Sequence, residues 1–253
     1  MKRRLNYLWR LAGTGLSFTL FGAGGVVIAA TLQLLFFLRL LPPARRVVAG
    51  RRAISAAFRL YIWFMDTIGL LSYEVRGREK LARPGQLVIA NHPSLLDVVF
   101  TISLIPEANC LVKSALWNNL FTRPPILACN YISNESPTLV EEGVAALARG
   151  ETLVVFPEGT RTVPGEPMKL FRGFANIALL SGVDLTPVLI SCTPKTLLKR
   201  QPWYHIPPVP PHFTIEVLDP IPVAPFRDGE ESQGKNARAL SAHVMAFYAQ
   251  RLK

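Results

Sequence analysis

The chain has no acidic residue before Asp66. Residues 1–52 carry nine basic ones: Lys2, Arg3, Arg4, Arg10, Arg39, Arg45, Arg46, Arg51 and Arg52. Of the formal net charge of +11, the other 201 residues contribute only +2. A basic end of this kind calls for a polyanion, either nucleic acid or an anionic lipid surface. Leu11–Leu38 holds no charge at all, which excludes a nucleic-acid arm, polar and basic throughout, and selects lipid. Charge is scarce overall, at 18%, against 50% hydrophobic residues; this is too apolar for an ordinary soluble enzyme. Cysteine is scarce too. Cys110, Cys129 and Cys192 form no CxxC and have no neighbouring histidine, so neither a zinc site nor a disulfide framework is expected. They read as buried, reduced thiols in a domain facing the cytosol.

Leu11–Leu38 would reach about 42 Å as a straight helix, and about 20 residues suffice to cross the hydrocarbon core. Gly22, Gly24 and Gly25 sit mid-segment, and both flanks are basic, so the positive-inside rule gives no orientation. Two arrangements fit: a tilted span, or a bent segment that dips into one leaflet and returns. Both place the following domain on the cytoplasmic face of the inner membrane. A cleaved signal is disfavoured, because the apolar run is too long for a usual h-region and basic clusters follow it. Pro42–Pro43 ends the segment, and a second helix is expected over about Arg51–Leu71. Tyr61 and Trp63 in it suit an interface or a core equally. Residues 1–75 thus read as a membrane-anchoring helical segment and 76–253 as a catalytic domain.

Past Tyr73 the texture changes. Leu87–Ala90, Thr152–Phe156, Leu185–Ile190 and Phe213–Leu218 read as strands. Helices are expected over Thr138–Arg149, with Ser136 as its cap and Pro137 first, over Phe174–Ser181 up to Gly182, and over Ala237–Leu252. Alternating strands and helices predict an α/β fold, with a mainly parallel central sheet flanked by helices. Chemistry in such sheets collects at the carboxyl ends of strands.

Two motifs follow strands directly. The first is Asn91-His92-Pro93-Ser94-Leu95-Leu96-Asp97. With Ser94 opening a helix, Asp97 falls in its first turn and can reach back to His92 as the acid that orients a base. Ser94-x-x-Asp97 also fits a capping box, with Asp97 only satisfying a backbone N–H. The second is Phe156-Pro157-Glu158-Gly159-Thr160-Arg161. Gly159 permits a tight turn, Thr160 adds a hydroxyl, and the planar fork of Arg161 suits phosphate. Glu158 is available to orient Arg161 or to bind a substrate hydroxyl. A structural turn with a Glu–Arg pair fits as well. Ser94 lacks a GxSxG elbow, so it reads as a cap and not as a nucleophile.

Together the two motifs resemble the glycerolipid acyltransferase family, the 1-acylglycerol-3-phosphate acyltransferases, over about Leu87–Ile190. The resemblance implies that His92 is the general base and Asp97 its charge partner, with Glu158, Gly159, Thr160 and Arg161 binding the acceptor's phosphate. It implies that Lys113 stands near a developing oxyanion and Pro187 near the acyl-chain pocket. It further implies transfer of a fatty acyl group from a thioester donor, acyl carrier protein or acyl-coenzyme A, to the hydroxyl of a lysophospholipid in a membrane. No cofactor or metal is needed. One departure stands out. In Ala128-Cys129-Asn130-Tyr131-Ile132-Ser133-Asn134, Asn134 occupies the position of an arginine common in the family. Losing that charge-assisted hydrogen bond removes about 1.5–3 kcal/mol, which opens the acceptor to other lipid or specialised-metabolite hydroxyls; Lys169 and Arg172 lie near enough in sequence to compensate. Two alternatives remain: a non-catalytic membrane-binding protein, which predicts no dependence on His92, and a membrane hydrolase that gives the acyl group to water.

Overall fold

The computed structural model describes residues 2–39, 42–163, 165–227 and 231–252, and no side chain of Lys2, Arg3, Pro43 or Ala44. Of the N-terminal basic groups named above, Lys2 and Arg3 therefore lie outside the described side chains. Leu11–Leu38 falls almost wholly in one 36-residue helix, α1 (Lys2–Phe37), about 54 Å long at about 1.5 Å per residue. Its mid-segment glycines do not interrupt it. A Cβ at Gly25 would lie 3.3 Å from the Phe121 carbonyl, so the missing side chain there permits a close approach. The stretch Arg4–Phe37 is long and apolar enough to cross a membrane.

The second helix, α2 (Pro43–Thr67), begins earlier than expected, with proline in its first turn. The basic residues that follow Pro43 are good helix formers, and proline is well suited to a helix start, so the basic run belongs to the helix. α1 and α2 form an antiparallel hairpin. The Trp9 indole donates to the Ile68 carbonyl at 3.0 Å, Phe21 stacks on Phe58, and Arg46 donates to Gln33 at the other end.

The sheet has seven strands: β1 (Ser72–Arg76), β2 (Leu87–Ala90), β3 (Asn109–Val112), β4 (Ile132–Ser133), β5 (Leu153–Val155), β6 (Leu185–Thr193) and β7 (His212–Val217). Their spatial order is β1-β7-β6-β2-β5-β3-β4. β2 runs parallel to both neighbours, β5 and β6, and β3 is parallel to β5 and β4. β7 runs antiparallel to β6 and carries β1 parallel to itself. The sheet is thus mainly parallel, with one reversed pair at an edge. β1, β3 and β4 were not expected. β1 is a partly exposed edge strand and β4 only two residues long, so neither shows the apolar run of a central strand.

The remaining helices are α3 (Asp97–Leu104), α4 (Arg123–Cys129), α5 (Leu139–Ala148), α6 (Gly173–Ser181) and α7 (Gln233–Arg251). α5 starts at Leu139 with Thr138 in the cap position, not Ser136; the Ser136 and Thr138 hydroxyls instead both donate to Glu142. Gly182, at φ +71°, closes α6 in the left-handed conformation that suits glycine. Alternate strand residues face opposite ways. Val88, Val154, Val188 and Ile215 pack with α2 and α3, while Leu87, Ile89, Leu153 and Leu185 pack with α6 and α7. The result is an α/β/α sandwich with the α1–α2 hairpin on the α3 side. Cys110, Cys129 and Cys192 are buried free thiols, each pushed up to about 12 mainly by burial.

Candidate active site

β2 and β5 are adjacent, parallel and central. The residues that follow them, His92 and Glu158, therefore emerge side by side at the same edge of the sheet. Asn91 extends the ladder by one step: its amide donates to the Ile190 carbonyl and accepts the Ile190 N–H, both at 2.8 Å. His92 follows on that anchored backbone.

The imidazole Nδ1 lies 2.9 Å from Asp97 Oδ2, and the ring packs on Phe156 at 4.8 Å between centroids. Asp97 is fully buried. The same Oδ2 accepts the Ser94 backbone N–H at 2.6 Å. The two alternatives read from the sequence therefore coexist, with one carboxylate oxygen closing the Ser94–Asp97 turn and also holding the imidazole. The helix itself starts at Asp97, with Leu96 in the cap position, so Ser94 opens the turn before the helix and does not cap it. Asp97 Oδ1 is buried with no partner among the described residues. Burial pushes the Asp97 carboxyl up to about 6, against the lowering effect of His92 and the Ser94 N–H.

Glu158 makes no hydrogen bond to Arg161 among the described residues. It is buried, its Oε1 accepts the backbone N–H of His92 at 2.9 Å, and its carboxylate takes the Thr162 hydroxyl at 2.8 and 2.9 Å. Thr162 N–H in turn donates to the His92 carbonyl at 2.7 Å. Both backbone groups of His92 are thus held by the turn that follows β5. Glu158 is a clamp, fully used by protein partners, because a buried carboxylate must be satisfied from within. Thr162 was missed from the sequence; it lies one residue past the motif and carries no signal of its own.

Gly159 sits at φ +61°, and a Cβ there would meet the Phe171 ring at 2.9 Å, so the turn requires glycine on two counts. Thr160 is partly exposed beside it. Arg161 is half-buried. One guanidinium nitrogen donates to the carbonyls of Leu197 at 2.9 Å and Leu198 at 3.0 Å. Burial lowers its pKa and the nearby Asp97 charge opposes that, which places the guanidinium in the electrostatic field of the His92–Asp97 pair. The rest of its donor fork has no described partner and is free for an anion.

Lys113 lies exposed at the carboxyl end of β3, on the same edge but two strands from β2, about 10 Å across the sheet. Asn134 is engaged locally, its Oδ1 accepting the Ser114 N–H at 2.8 Å. Pro187 is buried within β6 opposite Ile89. Tyr248 was also missed. It is buried on α7, and its hydroxyl donates to the Ile89 carbonyl at 2.9 Å and approaches that of Val188 at 3.4 Å. Among the described residues no group of three His, Cys, Asp or Glu could hold a metal ion.

A cavity between α1, α2 and the 196–211 segment comes up to this site at Leu96 and Leu197. Its walls include Phe18, Tyr61, Met65 and Leu70, and its polar end is Arg10.

The family model described as Acyltransferase matches residues 72–191. A 1-acyl-sn-glycerol-3-phosphate acyltransferase of Cocos nucifera is 27% identical over 196 residues, 74% of this chain and 61% of that protein. A lyso-ornithine lipid O-acyltransferase of Pseudomonas aeruginosa is 31% identical over 137 residues, 51% of this chain and 52% of that protein. In fold, the chain is similar to the 1-acyl-sn-glycerophosphate acyltransferase of Thermotoga maritima. The TM-score is 0.67 at 21% identity, covering 97% of each chain.

Proposed function

We propose that this chain, whose residues 72–191 match the family model described as Acyltransferase, transfers a fatty acyl group from a thioester donor to the hydroxyl of a membrane lysophospholipid of the 1-acylglycerol-3-phosphate type. The single observation that carries the mechanism is the buried Asp97 carboxylate at 2.9 Å from His92 Nδ1. That contact keeps the proton on Nδ1 and leaves Nε2 as the base. His92 Nε2 takes the proton of the acceptor hydroxyl as its oxygen attacks the thioester carbonyl carbon. The tetrahedral intermediate collapses with departure of the thiolate, which the imidazolium proton neutralises. Asp97 stabilises the imidazolium while it exists. General-base help of this kind contributes about 10²–10⁴-fold. Arg161, with part of its fork unclaimed, receives the acceptor's phosphate, and Gly159 and Thr160 shape the turn beside it.

The donor is an acyl group on acyl carrier protein or coenzyme A, and the domain over residues 76–253 works on the cytoplasmic face. The α1–α2 hairpin over residues 1–75 attaches it to the bilayer. The packing of α1 against α2 from Trp9–Ile68 to Gln33–Arg46 supports a hairpin that rests in one leaflet over one that crosses. Exposed Leu5, Leu16, Leu20, Val27 and Leu34 give α1 its lipid face.

A lyso-ornithine lipid or another phosphate-free acceptor is the second reading. Asn134, turned to a backbone N–H in place of an arginine, favours it. The test is a donor-by-acceptor matrix with purified protein in detergent. Acyl carrier protein and coenzyme A thioesters are crossed with lysophosphatidate and phosphate-free lysolipids, and His92→Ala is the control. Lysophosphatidate turnover supports the first reading; turnover confined to phosphate-free acceptors supports the second. Release of free fatty acid alone contradicts both.

A further inference from the structure

The loop between β6 and β7 has no role in the reading above beyond its two carbonyls on Arg161. It is unusual in composition. From Leu185 to Ile215 there is no acidic residue, while Lys195, Lys199 and Arg200 are close together and Trp203 and Tyr204 follow. Trp203 is 44% exposed and Tyr204 57%. Large aromatics with polar tips next to basic groups are the composition of a bilayer interface.

The loop is also fixed to the helix that carries the lipid face. The buried Arg10 guanidinium of α1 donates to the carbonyls of Pro207 at 2.9 Å and Pro208 at 2.7 Å. Trp203 packs on Phe18 and covers Gly15, where a Cβ would meet its ring at 3.3 Å. At about 100° per residue, Phe18 lies opposite the exposed Leu16–Leu20–Val27–Leu34 stripe and faces the domain, while Gly15 falls in line with the exposed Leu8 and Val26 at the edge between the two. Trp203, lying over Gly15, therefore borders the exposed apolar surface of α1. The other end of the loop reaches the site. Leu197 and Arg200 adopt φ of +51° and +65°, a conformation rare for such residues, and the turn they shape presents the Leu197 and Leu198 carbonyls to Arg161.

We propose that the 194–211 loop is a second bilayer-contact element, with Trp203 and Tyr204 inserted at the interface of an anionic membrane and Lys195, Lys199 and Arg200 on its headgroup phosphates. It links lipid contact to the seating of Arg161. This rests on the leaflet-resting reading of the α1–α2 hairpin and adds to it a surface from the catalytic domain itself. Each basic group near an anionic surface weighs about fivefold in partition.

The test uses the full chain in vesicles with a nitroxide on Tyr204→Cys; the three native cysteines are buried. Leu20→Cys on the lipid face of α1 is the reference position. Power-saturation measurements compare collisions with oxygen, which favours lipid, and with a water-soluble nickel chelate. We expect position 204 to report interfacial depth in phosphatidylglycerol-containing vesicles. Lys199→Gln with Arg200→Gln should lower the interfacial fraction at least tenfold in those vesicles and leave it unchanged in neutral phosphatidylcholine. If position 204 reports bulk water while position 20 reports lipid, the loop proposal fails and the hairpin reading stands. If both report water, both fail. Insensitivity of position 204 to the two glutamine substitutions overturns the headgroup contact.

Discussion

His92 is held at its ring, its N–H and its carbonyl by Asp97, Glu158 and Thr162 in turn. Each hold has its own predicted loss. Asp97 connects pH to rate. Its carboxyl is pushed up to about 6 by burial, and once protonated it no longer stabilises an imidazolium. A plot of kcat/KM against pH should therefore fall on the acid side through about pH 6. The stability effect has the opposite sense. A folded-state pKa above the ordinary carboxyl value of 3.8 means that the native state binds more protons than the unfolded one between those values. The contribution of Asp97 to stability is then fully present below pH 3.8 and lost as pH rises through 6. Asp97→Asn should accordingly raise Tm at pH 7.5 while lowering kcat at least a hundredfold, measured on the same preparation. Glu158→Ala should do the reverse to stability. It strands the His92 N–H and the Thr162 hydroxyl, and hydrogen bonds to a charged group are worth about 1.5–3 kcal/mol. Denaturant unfolding should show a loss of that size, and kcat should drop with the acceptor KM little changed. Arg161→Ala should raise the acceptor KM about ten- to a hundredfold, with a lowered thermal midpoint as the Leu197 and Leu198 carbonyls lose their donor. An unchanged KM would remove Arg161 from the acceptor site.

Two parallel neighbours, β2 and β5, bring the motifs together, and α7 holds β2 from behind. The Tyr248 hydroxyl reaches the Ile89 carbonyl from 159 residues away in sequence, three residues before His92. Tyr248→Phe keeps the ring in place and removes only that bond, a change of about 1 kcal/mol in stability. We expect kcat to fall several-fold with the donor KM constant; an unchanged kcat would make Tyr248 a purely structural contact. The elements also show what a sequence discloses. Central strands such as Leu87–Ala90 were legible because a strand buried on both faces is an uninterrupted apolar run. Edge strands β1 and β4 were not, because exposure and brevity erase that run. The His92–Asp97 pair was legible because five residues of local chain bring it together. The Glu158 clamp was not legible, because its partners lie 66 residues back and in Thr162, and nothing local marks a carboxylate that meets backbone.

On the scale of the whole molecule, α1 runs the length of α2 and touches both the 121–125 and 203–208 segments. Such packing fits the proposed seating of the hairpin in one leaflet. Arg4 and Arg39, both charged and exposed near opposite ends of α1, should therefore react from the same side. With each changed to cysteine in sealed vesicles, an impermeant maleimide added on the catalytic-domain side should label both. Labelling of one position only from the opposite side would establish a span. The glycine at position 50 belongs to the same packing. A Cβ there would meet the Ala128 carbonyl at 2.7 Å, so Gly50→Val should separate α2 from α4 and destabilise the chain by about 1–3 kcal/mol, read as a lowered Tm.

The most direct test is a single-turnover measurement of ester formation from a labelled acyl thioester and a lysophospholipid, comparing the unaltered chain with His92→Ala in the same detergent and at matched folded fraction. Acid–base transfer through the His92–Asp97 pair predicts rapid acylation of the hydroxyl in the first and a rate at least a thousandfold lower in the second. Equal rates in the two would contradict it.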